Sequence, residues 1–142
     1  MRAFVEAVLA YTKAGKVDII GHSMGVTLGR GIIKGGTIPI DSGSLYLGPS
    51  ITSKVDTFIG IAGANYGLTS CYSIPLIATC NAVSGFYPGY AIGPLGLSSY
   101  LEYLNDQTIK EGSYAFAIFS TYDDLIGFGD VVYGRYTSEF PT

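Results

Sequence analysis

Along this chain the spacing of apolar positions switches between about 3.6 and about 2 residues, and the switches mark its elements. Phe4, Ala7, Val8 and Tyr11 recur at spacings of three and four, which predicts an amphipathic helix over residues 3–14 ended by Gly15. Residues 17–21, "VDIIG", are apolar except for Asp18 and predict a strand buried on both faces. Helical spacing returns from Met24 to Lys34, with Val26, Leu28, Ile32 and Ile33 inward and Gly35-Gly36 as the C-cap. Residues 37–53 contain Pro39, Gly43, Gly48 and Pro49 and read as loop. "VDTFIGIAG", 55–63, predicts a second buried strand, and a long Gly/Pro/Tyr-rich segment follows over 64–97. In "SSYLEYLNDQ", 98–107, Ser99 stands three residues before Glu102, a capping-box signature, and Leu101 and Leu104 give the helix an inward side. "SYAFAIFS", 113–120, predicts a third strand, and "TYDDLIGFGD" a polar turn.

Helix and strand alternate through the chain, which predicts an α/β domain with a mainly parallel sheet. Three strands are few for such a domain, and the first helix has no strand before it. The expectation is therefore an incomplete fold, with residues 1–142 as one partial domain.

Composition narrows the function. The chain has 142 residues, 13% charged and 48% hydrophobic, a net charge of −3 and no basic cluster, so nucleic acid is a poor partner. No apolar run approaches the roughly 18 residues of a spanning helix, and the N-terminus lacks the apolar core of a signal peptide. One histidine in the sequence argues against a zinc site. Cys71 and Cys80 lie in "SCYSIPLIATCN". An even pair around a short loop suits a disulfide of a secreted protein, and two unrelated small apolar side chains fit as well.

The chemistry concentrates in "VDIIGHSMGVTLGRGIIKGG", residues 17–36, where a strand meets a helix at Gly21-His22-Ser23-Met24-Gly25. With 20 glycines in the chain, roughly one random sequence in four of this composition would carry Gly-x-Ser-x-Gly, so the pentapeptide alone is weak. Its context is what a nucleophile elbow requires: strand, sharp turn, helix. Gly21 and Gly25 are expected to remove side chains that would strike the neighbouring strand and helix. Ser23 would stand above the sheet edge, with the Met24 backbone N–H as an oxyanion donor at the helix N-terminus. A serine needs a base, and the base needs an orienting acid. His22 is expected not to serve, because its side chain leaves the strand on another side, and it reads as a packed or hydrogen-bonded polar residue. In this fold the acid lies in the turn after a later strand, which leaves Asp123 and Asp124 as candidates. Two solvated turn aspartates fit that stretch equally well.

Four stretches, "VDIIGHSMGVTLGR", "FIGIAGANYGL", "YAFAIFSTYDDLIGFG" and "VVYGRYTSEFP", resemble the class 2 lipases of the α/β-hydrolase superfamily. The resemblance implies a three-layer α/β-hydrolase fold and hydrolysis of acylglycerol esters, without cofactor or metal, at a lipid–water interface. It makes Ser23 the nucleophile and favours Asp123, three positions after Ser120, as the acid. It also favours secretion and a Cys71–Cys80 disulfide. Such lipases carry an oxyanion motif upstream and a catalytic histidine downstream, so the resemblance further implies a fragment of weak or no activity. Segment 66–97 is expected to border an acyl pocket or form a lid. Two alternatives stay open: a non-catalytic remnant or lipid-binding module, and an esterase or thioesterase with another acyl substrate.

Overall fold

In the computed structural model the described residues are 1–72, 77–89, 96–126 and 128–141. They form three α-helices, α1 (Arg2–Thr12), α2 (Met24–Lys34) and α3 (Ser99–Asn105). The central sheet is parallel, in the order β1 (Val17–His22), β4 (Val55–Ile61), β5 (Tyr114–Ile118). Two antiparallel ribbons accompany it, β2 (Thr37–Ile40) with β3 (Gly43–Tyr46), and β6 (Val131–Val132) with β7 (Arg135–Tyr136). The parallel α/β arrangement and its three strands follow the alternation in the sequence.

Several local expectations are corrected. Residues 37–53 were expected as loop, but 37–46 close a hairpin in which Pro39 pairs with Ser44. A two-stranded ribbon leaves half its N–H groups unpaired, so a proline fits there. The cap of α3 is Ser98, whose hydroxyl accepts from Leu101 N–H and donates to Gly85 O, and not Ser99. α1 ends on Lys13 in the left-handed conformation, before Gly15. Its half-buried side is Val5, Val8 and Leu9, while Phe4 and Tyr11 are exposed. Leu28 of α2 also faces outward.

The core lies on one face of the sheet. Val26, Ile32 and Ile33 of α2 pack on Val55, Phe58 and Ile51, each buried side chain contributing about 1.5–3 kcal/mol. A second cluster joins Tyr100, Leu101 and Leu104 of α3 to Ile38. On the other face, register aligns Ile20, Ile59 and Phe116 in one row and His22, Ile61 and Ile118 in the next. That face is open: Ile20 is 67% exposed and Phe116 55%. β1 is therefore not buried on both faces, and among the described residues the third layer of the expected sandwich is not seen. The Cys71–Cys80 disulfide is present, with Cα atoms 5.0 Å apart.

Candidate active site

β1 delivers the chain to the C-terminal edge of the sheet, and α2 starts one residue later. The joint is Ser23, at φ 53 and ψ −128. A side chain in this region costs about 1–3 kcal/mol, and the surrounding structure must hold it there. Ser23 N–H donates to Ile61 O at 2.9 Å, and Ala62 N–H to Ile118 O at 2.9 Å, so the ladder continues across the sheet end. Ser23 O accepts from Val26 N–H and closes the first turn of α2. Met24 N–H, at the first helical position, makes no backbone hydrogen bond among the described residues. Ser23 is half-buried, and the Met24 side chain is exposed.

Glycines set how closely α2 approaches the sheet, and only one of the two expected from the motif is among them. A Cβ on Gly21 would stand 2.8 Å from Gly25 O, so Gly21 is required. A Cβ on Gly25 would meet nothing within 4 Å, which removes the expected collision there. Close positions also lie on α2 at Gly29, where a Cβ would stand 3.0 Å from Phe58, and on and just after β4, where one on Gly60 or Gly63 would strike Val26 Cγ1 at 2.9 and 2.7 Å. Val26, fully buried, sits in that hollow and holds down the first turn behind Ser23.

His22 is in the sheet row that faces away from α2. Gly21 faces the helix, and alternation sends its neighbour to the open face. The imidazole is exposed and has no hydrogen-bond partner among the described residues, contrary to the expected packed or bonded role.

Asp123 follows β5, at the same edge as Ser23, with β4 between the two strands. Its Oδ1 accepts from Leu125 N–H at 2.9 Å and Ile126 N–H at 3.1 Å. Its backbone N–H donates to Ser120 O, and its carbonyl accepts from Gly129 N–H at 3.0 Å. Asp124 is exposed and makes no side-chain hydrogen bond among the described residues. The two aspartates that the sequence left level are thus distinguished: one carboxylate is fixed by its own turn, and the other has no partner among the described residues.

The sequence reading missed the polar cluster behind the site. Arg30, two turns along α2, is fully buried. Its Nε donates to Glu111 at 2.8 Å, its Nη1 to Asn65 and Asn105 at 2.9 Å each, and its Nη2 to Leu104 O at 2.6 Å. Burial pulls the guanidinium below its ordinary range, and Glu111 opposes that shift. Lys34 is lowered in the same way by burial. Asn65, after β4, passes the connection on: its Nδ2 donates to Ser138 O and Glu139 O, and its backbone N–H to Thr137 O. One signal was available. Arg30 falls on the Val26–Ile33 stripe at spacings of four and three, where a charged residue must be buried and paired.

Parts of segment 66–97, residues 73–76 and 90–95, lie outside the described residues. Phe86, at the edge of the described part, packs against the α3 cluster. Among the described residues no group of three or more His, Cys, Asp or Glu is placed to hold a metal ion, and no helix is long and apolar enough to cross a membrane. A family model described as "Lipase (class 2)" matches residues 1–142. A search of curated proteins gave no match.

Proposed function

The chain belongs to the class 2 lipase family, and we propose that it is a serine hydrolase of lipase type within a single α/β-hydrolase domain, cleaving carboxylic esters of acylglycerols. Ser23 Oγ attacks the ester carbonyl while an imidazole takes its proton. The Met24 N–H holds the tetrahedral oxyanion. The alcohol leaves with the proton, and water releases the acid from acyl-Ser23. Asp123 orients the imidazole. The observation that carries this reading is the strained serine at the strand–helix joint, followed by a main-chain N–H that makes no backbone hydrogen bond among the described residues.

Ser23 and Asp123 follow strands two positions apart, about 10 Å at ordinary strand spacing, which accommodates an imidazole hydrogen-bonded on both sides. His22, on the open face, is not that imidazole. The disulfide supports an extracellular setting.

The test adds free imidazole to the full 142-residue chain and follows hydrolysis of p-nitrophenyl butyrate and palmitate. Ser23-dependent turnover that rises with imidazole and falls on Asp123→Ala, but not on Asp124→Ala, supports the reading. Turnover equal to that of Ser23→Ala at every imidazole concentration defeats it. The misplaced His22 favours one alternative, a non-catalytic lipid-binding module, which predicts that null result together with retained binding to triacylglycerol emulsions.

A further inference from the structure

Asp130 is a buried carboxylate that the mechanism above does not use. Its exposure is 0%, and among the described residues no lysine or arginine pairs with it. Among the described residues its side-chain partners come from one residue: Oδ1 accepts from Ser138 Oγ at 2.6 Å and Oδ2 from Ser138 N–H at 3.3 Å. Burial raises its pKa, and the charges of Asp123 and Glu139 act in the same direction. A buried carboxylate without a cation is costly, so its retention calls for a reason.

The backbone supplies one. Asp130 sits at φ 63 directly after Gly129 at φ 69. Asparagine adopts the left-handed region as readily as aspartate, so conformation alone does not select an acid. What the position selects is a short polar side chain in the left-handed region that holds both Ser138 groups, and an amide does so too, its Nδ2–H donating to Ser138 Oγ while its oxygen accepts from Ser138 N–H. The bonds matter because of what this turn carries. Gly129 N–H donates to Asp123 O at 3.0 Å, and Thr137 N–H donates to Asp130 O at 2.8 Å. Ser138 O is held in turn by Asn65, and Asn65 by Arg30 on the nucleophile helix. A continuous set of hydrogen bonds therefore runs from the turn of Asp123 to α2.

We infer that Asp130, through Ser138, is a positioning residue that fixes the turn carrying Asp123 relative to the helix of Ser23. This rests on the assignment of Ser23 and Asp123 above. When the turn slips, Asp123 no longer meets the imidazole, and displacements of about 1 Å can cost about 100-fold in rate.

The experiment measures the rate at which a fluorophosphonate labels Ser23 in the full chain as imidazole is titrated. In that step the Oγ–P bond forms, the P–F bond breaks, fluoride leaves and the proton passes to imidazole. The readout is the imidazole-dependent increment. Asp123→Ala should lose it. Asp130→Ala and Ser138→Ala should each lower it by about tenfold, and Asp130→Asn, which can keep both bonds to Ser138, should retain most of it. Leu104→Ala, a core truncation in α3 that destabilises the fold, should keep it. Ser138→Ala leaves the main-chain bond to Asp130 in place and serves if Asp130→Ala does not fold. Loss in Asp123→Ala with a full increment in Asp130→Ala or Ser138→Ala overturns the positioning role alone. A full increment in Asp123→Ala overturns the acid assignment beneath it. Equal loss in Leu104→Ala reduces Asp130 to a structural residue.

Discussion

Arg30→Met removes one member of a buried ion pair and tests how α2 is anchored. The methionine keeps an unbranched apolar stem beside Phe140, whose ring centroid lies 5.3 Å from the guanidinium carbon. It leaves Glu111, with a side chain only 5% exposed, without its closest partner. Removing one partner of such a pair costs about 3–5 kcal/mol. Lys34 Nζ stays 3.5 Å from Glu111 and balances part of the charge, which favours the lower end. The acceptors on Asn65, Asn105 and Leu104 also lose a donor, at about 1–3 kcal/mol for each one left buried and unpaired. These terms overlap, so the expected loss is about 4–5 kcal/mol, a large share of the 5–15 kcal/mol typical of a domain. Urea unfolding measures it: with a slope near 2 kcal/mol per molar, the midpoint falls by about 2 M. Arg30→Met/Glu111→Leu should differ from the sum of the two singles, because the Arg30–Glu111 pair is broken once in all three variants, and it should not regain wild-type stability, because Lys34 then loses its carboxylate. A single variant within about 1 kcal/mol of wild type, or a double variant equal to the sum of both singles, would refute the reasoning.

Three further outcomes follow from the same geometry. Gly21→Ala should cost about 1–3 kcal/mol by forcing its Cβ onto the Gly25 carbonyl, while Gly25→Ala should be neutral or stabilising by up to about 1 kcal/mol in a helix; thermal unfolding of both separates them. Ser23→Gly should be more stable than Ser23→Ala by about 1 kcal/mol, since only glycine relieves the strained backbone, and equal unfolding midpoints would remove the strain. For Asp130, raised above 3.8 in the folded state, the native protein binds more protons than the unfolded chain between 3.8 and the native value. Its charged form is thus a stability penalty that acidification through that window removes. Wild type should gain on Asp130→Asn as pH falls there, measured as the difference between their unfolding free energies, and a difference that stays flat would contradict the burial of that carboxylate.

How much of this was legible depended on whether one side chain or many carried the signal. The β1–turn–α2 unit was readable, because a β-rich run, a glycine-bounded serine and a helical stripe agree locally. The glycine hollow was not. Gly60 and Gly63 matter only because β4 lies beneath Val26, a contact between distant segments. The hairpin at 37–46 was hidden by Pro39, whose missing N–H argues against a strand unless the partner lies on one side only. α1 was found but turned by one position, since Phe4 and Val5 each fit a helical stripe and the packing partner decides between them. Asp123 and Asp124 are indistinguishable as residue types. The turn that binds one carboxylate to Leu125 and Ile126 N–H separates them. Arg30 was visible as a charge within an apolar stripe, but its partners Glu111, Asn65 and Asn105 come from three separate segments.

The central claim is that the strained serine after β1 is a nucleophile served by an acid two strands away. It is tested most directly by treating the intact chain with a fluorophosphonate in the presence of imidazole and locating the adduct by peptide mass mapping. The account predicts a single adduct on Ser23, formed faster with imidazole and slowed when Asp123 is replaced by alanine. Modification spread over other serines, or an adduct on Ser23 no faster than on a denatured sample, would contradict it.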